Sequence, residues 1–235
     1  MNVFYLAKKE LRSYLLSPLA WVLLAVYFAL GGYFFSGAII ITGRADMTGY
    51  FANMAIILLF LVPALTMRLW AEEEARGTAR FLLTAPLTVT EVVTAKFLAA
   101  LALMLLAELA SLVYVLILAR LGSPDWGTIF ASYLGFTLLM AACLAVGLFA
   151  SSISSSQMVA GLTAFGLLLL LWVVDWVSSS VPAGLGSVLK AISFPSHLVD
   201  FLKGMVVTDH IVFYLSAVFF FLFLAVESIA KRTWA

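Results

Sequence analysis

RLWAEEEARGTARFLLTAPLTVTEVVTAK, residues 68–96, is a polar island in a chain that otherwise resembles hydrocarbon. It holds four of the twelve acidic residues (Glu72, Glu73, Glu74 and Glu91) and four of the thirteen basic ones (Arg68, Arg76, Arg80 and Lys96). Long apolar runs flank it on both sides. A charged side chain at the centre of a bilayer costs roughly 3 kcal/mol or more. Eight charges in a row of segments therefore belong to a loop in water between two membrane spans, and that reading decides the fold.

The rest of the composition agrees. Over its 235 residues the chain is 65% hydrophobic and only 11% charged, with a mean hydropathy of +1.15. A soluble domain carries about 25% charged residues, so lipid must solvate most of this surface. A span takes about 20 apolar residues. The length accommodates six of them with short loops and leaves no room for a soluble domain of ~100 residues. The expected spans are residues 20–41, 50–67, 97–118, 129–150, 158–177 and 210–230. The expected fold class is an all-α polytopic membrane protein of six transmembrane helices, one transmembrane domain over residues 1–235. The first span is longer than the apolar core of a cleavable leader, about 7–15 residues, and no small-residue cleavage site follows it. The net charge of +1 gives no reason to expect a nucleic-acid partner. The single cysteine, Cys143, lies in an apolar run and reads as a small core residue.

Working outward, residues 1–17 form a short amphipathic helix. Phe4, Ala7, Leu11, Tyr14 and Leu15 share one face, and Lys8, Lys9 and Arg12 another. Such a helix lies flat among lipid headgroups. Pro18 breaks this helix or opens the next at its first turn, Gly31-Gly32 invites close helix packing, and Pro63 is a kink site near the end of the second span. Residues 151–157 (SSISSSQ) read as a polar turn. Residues 178–209 read as a compact external segment with short helices at 188–192 and 197–202. Trp21, Trp70, Trp126, Trp176 and Trp234, near span ends, read as interfacial anchors.

Basic residues set the orientation. With the N-terminus inside, Lys8, Lys9, Arg12, Arg68, Arg76, Arg80, Lys96, Lys231 and Arg232 are inside, and Arg44, Arg120, Lys190 and Lys203 are outside. Nine against four favours both termini, and residues 68–96, in the cytoplasm.

The island has internal order. Arg68/Glu72 and Glu72/Arg76 are i,i+4 pairs that prolong the second span as a charged helix. Gly77 stops it where helix C-terminal glycines sit. Thr78 caps a second short helix, residues 79–84, that shows Phe81, Leu82 and Leu83. Pro86 ends that helix, and Thr88-x-x-Glu91 is a capping box that opens the next. The result is an elbow: helix, break, short helix, break, helix. The Glu72–Glu73–Glu74 cluster is expected to form exposed pairs with basic groups of a partner or of the N-terminal helix, each contributing about 0–1 kcal/mol.

At this point the chain resembles a known family. RLWAEEEARGTARFLLTAP followed by EVVTAKF is similar to the first cytoplasmic loop of ABC type-2 permeases, and most similar to the gliding-motility (GldF-like) and nitrous-oxide-cluster branches. Ser155 and Gln157 fit the family's turn between the fourth and fifth spans. Ser193, Pro195, His197, Phe201, Gly204 and Tyr214 fit its segment before the last span, and Lys231 to Trp234 its tail. The resemblance covers essentially the whole chain. It implies the membrane-spanning subunit of an ATP-driven exporter, in a bacterial cytoplasmic (inner) membrane. It implies a homodimer, or a heterodimer with a related permease, on two copies of an ABC ATPase that bind ATP and Mg. In that family the short helix of the loop is the coupling helix and the N-terminal helix the connecting helix. Glu72, Glu73, Glu74, Arg76, Gly77, Thr78, Phe81, Leu82, Leu83 and Pro86 are the implied ATPase-coupling residues.

The residues exclude an ATPase within the chain, because no G-x-x-x-x-G-K-[ST] loop is present to cradle phosphates. The chain is expected to be no enzyme and to carry no cofactor or metal of its own. An intramembrane hydrolase would need a nucleophile and base on facing spans, and no histidine lies deep in a span. His197 and His210 read as loop polarity. Glu108 is the one acidic residue well inside a span, and such a residue marks a pathway, a subunit contact or a structural hydrogen bond. Ser111, one turn on, is its expected neighbour. The alternative to a transporter subunit is a non-transporting membrane anchor or assembly subunit that keeps the same elbow.

Overall fold

A computed structural model describes residues 3–42, 46–75, 77, 88–178 and 180–233. The chain enters through α1 (Val3–Leu16) and turns at Ser17 into α2 (Pro18–Thr42). Pro18 takes the first position of α2, where its missing N–H has no intrahelical partner to lose. Next come α3 (Thr48–Thr66) and the five-residue α4 (Ala71–Ala75). Beyond the elbow lie α5 (Val89–Ala110), α6 (Leu112–Leu121), α7 (Trp126–Ile153) and α8 (Gln157–Ser178). Two short helices, α9 (Ala183–Ile192) and α10 (Phe194–Leu202), precede the last, α11 (Thr208–Thr233).

Six helical stretches are long and apolar enough to cross a membrane: Pro18–Ile40, Thr48–Ala75, Val89–Leu121, Trp126–Ile153, Gln157–Ser178 and Thr208–Lys231. The protein is therefore an all-α polytopic membrane protein. Two boundaries differ from the expectation. The third span is interrupted for one residue at Ser111, whose hydroxyl donates to the Glu108 carbonyl at 2.6 Å. A serine that bonds back to the preceding turn distorts a helix in this way. The serine-rich turn is also shorter than it reads, because α7 runs through Ser151 and Ser152 to Ile153.

The fourth span, α7, is the axis of the bundle. It packs against α3, α5, α8, α10 and α11. Phe136, Leu139, Met140 and the run from Ala142 through Val146 are sealed from solvent. Cys143 sits in this run with no exposed surface, as its apolar setting implies. Close approach to α3 depends on Gly147, because a methyl group there would collide with the side chain of Thr66.

Local signals explain the helix starts. Asp125 caps α7 by accepting from the Gly127 N–H at 3.0 Å and from the Thr128 hydroxyl at 2.7 Å. These bonds, the hydroxyl's first, hold its carboxyl below the usual range. Ser193 caps α10 by accepting from the Ser196 N–H at 3.3 Å. The segment between the fifth and sixth spans then docks on the bundle, with Phe194 and Phe201 buried and the Tyr214 hydroxyl donating to the Phe194 carbonyl at 2.7 Å.

The N-terminal helix departs from the helical-wheel reading. Leu6 is the buried residue of α1, with Val3, Ala7, Leu11, Tyr14 and Leu15 packed beside it, while Phe4 is 79% exposed. The packed face is rotated toward Leu6 and Glu10, because α1 lies against α5 and meets its lysine. Trp70 is likewise no interfacial anchor: it is 1% exposed and forms part of the core below the elbow. Trp21, Trp126 and Trp176 are exposed.

Candidate coupling site at the root of the elbow

The elbow begins as the charge pattern indicates and then acquires tertiary support. Arg68 donates through Nε and Nη2 to the two oxygens of Glu72, at 2.6 and 3.1 Å. This two-point geometry is the strong form of an Arg–carboxylate pair. Arg68 Nη1 also reaches Ser17 Oγ at 3.3 Å, at the hinge between α1 and α2. The charged helix does not continue directly from the second span. α3 ends at Thr66, and α4 restarts at Ala71.

That restart is capped from another span. Ser151 Oγ accepts from the backbone N–H groups of Trp70 and Ala71, both at 3.1 Å. These are helix-start donors that would otherwise be buried without partners. The serine stands near the C-terminal end of α7, so the root of the elbow is fastened to the central helix. Nothing local in the sequence announces this contact.

Beside it lies a buried ionic node. Lys96 Nζ donates to Glu73 Oε1 at 2.7 Å and sits 3.5 Å from Glu10 Oε2. The lysine side chain is 2% exposed, and the two carboxylates are 22% and 15% exposed. Glu73 is therefore not the exposed, weakly paired residue expected from the acidic run. Lys96, taken as the far end of a solvated loop, is a core residue of α5. The reason is that α1 folds back over this end of the bundle and covers both. The node joins α1 to α4 and α5, two elements that come much later in the chain.

A cavity of about 350 Å³ opens next to the node. Glu10, Tyr14, Arg68, Glu72, Glu73 and Lys96 line it. Burial, and then the Glu10 carboxylate, push the Tyr14 hydroxyl above its usual pKa, so it stays protonated and available as a donor. The cavity is rich in charge, and its cations are already paired.

The remaining coupling residues divide. Glu74 is partly exposed, and its carbonyl accepts from the Gly77 N–H at 3.0 Å. Gly77 has φ +70°, the left-handed conformation of a helix-ending glycine. Arg76, Thr78, Phe81, Leu82, Leu83 and Pro86 lie outside the described residues. On the far side, Thr88 and Glu91 form the capping box: the Glu91 N–H donates to Thr88 Oγ1 at 3.3 Å, and the Thr88 N–H to Glu91 Oε2 at 2.9 Å.

Glu108 stands apart from this cluster, on α5 within the third span and 3% exposed. Thr137 Oγ1 of α7 lies 2.9 Å from both of its carboxylate oxygens. Ser111 does not serve the carboxylate: it bonds the Glu108 carbonyl and pairs with the Tyr133 hydroxyl at 2.9 Å. His197 of α10 and His210 of α11 pack together, with ring centroids 4.9 Å apart. Among the described residues no group of three or more His, Cys, Asp or Glu side chains is placed to hold a metal.

Six spans, a charged elbow whose root is fastened to the central helix and an N-terminal helix clamped beside it fit a membrane component of a transport system. The description "ABC-2 family transporter protein" belongs to the family whose model matches residues 4–219, nearly the whole chain, and the protein belongs to that family. No curated protein matches it. The chain is thus a transmembrane permease subunit of an ABC transporter, a class that associates with an ABC ATPase and lacks ATPase motifs of its own.

Proposed function

We propose that this chain is the permease of an ATP-driven exporter of the bacterial inner membrane, on the gliding-motility-like branch of the family, with both termini in the cytoplasm. Two copies, or one copy with a related permease, form the membrane part. Two ATPase subunits bind ATP and Mg and seat against residues 68–96 and α1. The observation that supports this most is the Glu10–Lys96–Glu73 node. It ties the N-terminal helix and the base of the elbow to the third span at one buried lysine. Displacing either cytoplasmic element must therefore move the span or break a charge pair, and breaking the pair costs several kcal/mol. Force entering at the elbow passes into the bundle as a rigid-body shift.

Beyond the node, Phe81, Leu82 and Leu83 are the apolar anchors in this reading, Pro86 and the Thr88/Glu91 box set their angle, and Glu108 serves the pathway or the contact between subunits. Co-purification of the ATPase, together with hydrolysis and transport rates in liposomes, tests it. Phe81→Ala or Leu82→Asp weakens capture of the ATPase or separates hydrolysis from transport. An elbow replaced by a short Gly-Ser linker with capture and coupling intact sinks the proposal. An ATPase that binds normally but never responds to any cargo points instead to the anchor or assembly subunit.

A further inference from the structure

We propose that the recess beside Glu108 binds a lipophilic cation, admitted sideways from the membrane. The recess, about 460 Å³ between the third and fourth spans, is within the size range of small-molecule sites. Leu109, Leu112, Trp126 and Phe130 form its rim and walls, with Glu108 and Tyr133 among its lining. The rim is open: Leu109 is 59%, Leu112 41%, Trp126 61% and Phe130 68% exposed. In a spanning bundle such a rim meets lipid or a neighbouring protein.

Two features select the occupant. The first is charge. Among the described residues the donor to Glu108 is Thr137, a neutral hydroxyl, and no ion pair reaches the carboxylate. A carboxylate set in hydrocarbon attracts a cation more strongly than the same group in water. The second is the wall chemistry, which offers aliphatic surface for an organic body and the faces of Trp126, Phe130 and Tyr133 for a positive charge. An anion would be repelled, and a neutral hydrocarbon would gain nothing from the carboxylate.

The basic residues also argue against a second copy of the chain as the partner of this carboxylate. The spans expected around mid-membrane, such as 129–150 and 158–177, contain no lysine or arginine at all. Arg120 lies at the end of its helix and Lys96 is committed to Glu73, so this sequence has no cation to bring to the depth of Glu108. With no such cation in this chain, we assign the positive charge to a diffusible molecule. Its meaning as cargo rests on the permease reading, but its binding does not.

The test therefore uses the purified chain in phosphatidylcholine nanodiscs, without ATPase or ATP. The probes are radiolabelled tetraphenylphosphonium and tetraphenylborate, two ions of nearly the same shape and opposite charge. We expect saturable binding of the cation and none of the anion. Glu108→Gln, which keeps size and hydrogen bonding, should weaken the cation by about tenfold or more. Leu109→Trp fills the recess from an exposed position and leaves the carboxylate in place, so it should abolish binding while the fold survives. Equal binding of both ions, full binding by Glu108→Gln or Leu109→Trp, or no saturable cation binding would each overturn the proposal. So would a disulfide between two Leu109→Cys chains in native membranes, which would put a second copy over the recess. None of these results touches the coupling role of the elbow.

Discussion

At the elbow end of the bundle the joining is done by opposite charges: Lys96 reaches Glu73 and the distant Glu10, and Arg68 pairs with Glu72 one turn on. At the other end the joining is done by rings. The His197 ring stacks on Phe213 with centroids 3.8 Å apart, and meets His210 edge-on. Its Nδ1 lies 2.8 Å from the Ser193 carbonyl, and His210 Nε2 lies 2.9 Å from Asp200 Oδ2. Both ends hold short helices against long ones. The difference lies in what failure costs. A stacked ring lost from a partly exposed site leaves apolar surface, which lipid or neighbouring rings can cover. A lysine lost from between two carboxylates leaves like charges facing each other in a poorly hydrated space. The elbow end is therefore built to move as one piece or not at all.

The comparison can be broken most severely at Lys96. Lys96→Met should lower stability by roughly 3 kcal/mol, because the carboxylates keep their burial and lose their counter-ion. Thermal unfolding in detergent measures it. The double variant Lys96→Met/Glu73→Gln should recover part of the loss, and an undisturbed Lys96→Met would show the node to be incidental. At the ring end, Phe213→Ala should cost less, about 2 kcal/mol, from lost stacking and burial at a partly exposed site. If it proves the more damaging of the two, the contrast between the ends is reversed.

Ser151→Ala sharpens the comparison by removing a neutral contact from the charged end. It leaves the Trp70 and Ala71 N–H groups without their acceptor, at a cost of about 1 kcal/mol. Faster amide exchange confined to α4 and its flanks would reveal it, and unchanged exchange there would deny the serine its capping role. The smallest effect is that of pH. Burial, foremost, lowers the His197 pKa below its usual value. A group depressed on folding stabilises above its unfolded-state pKa of about 6.5, and that contribution is lost as pH falls through the folded-state value. Asp200, held low chiefly by the His210 hydrogen bond, keeps its charge in that window. The thermal midpoint should drop modestly between about pH 7 and pH 5, and His197→Gln should flatten the drop. A midpoint that rises on acidification would contradict the assignment.

What could be read in advance was set by range along the chain. The Thr88/Glu91 box and the Arg68–Glu72 pair are legible because each closes within one turn. Gly77 was equally legible, since a helix end needs a residue that tolerates positive φ. The six apolar runs were legible because the membrane imposes a length on each. Glu108 stood out as a lone charge in hydrocarbon, but its donor, Thr137, comes from another span and had no local mark. Ser151 and Glu10 were invisible as members of the elbow for the same reason: their partners lie 80 and 86 residues away, by the difference of residue numbers. Periodicity alone placed Phe4 on the packed face of α1, yet the position of Lys96 turned that helix toward Glu10. The acidic run at 72–74 reads as solvated in isolation, and only the fold-back of α1 shows that one of its members is covered.

The central position of α7 has a consequence for the order of synthesis. The helix that forms the axis of the finished bundle leaves the ribosome before α8, α10 and α11, the elements that cover much of it. At that moment α3, α5 and the start of α4 are there to lean on, and the side that will receive α11 faces lipid or an insertion factor. Its composition suits the wait, since between Trp126 and Ile153 it carries no charged residue and its serines and threonines can bond their own helix. The last span then acts as a latch. A chain truncated before Thr208 should insert its earlier spans and still lack the surface that closes the axis.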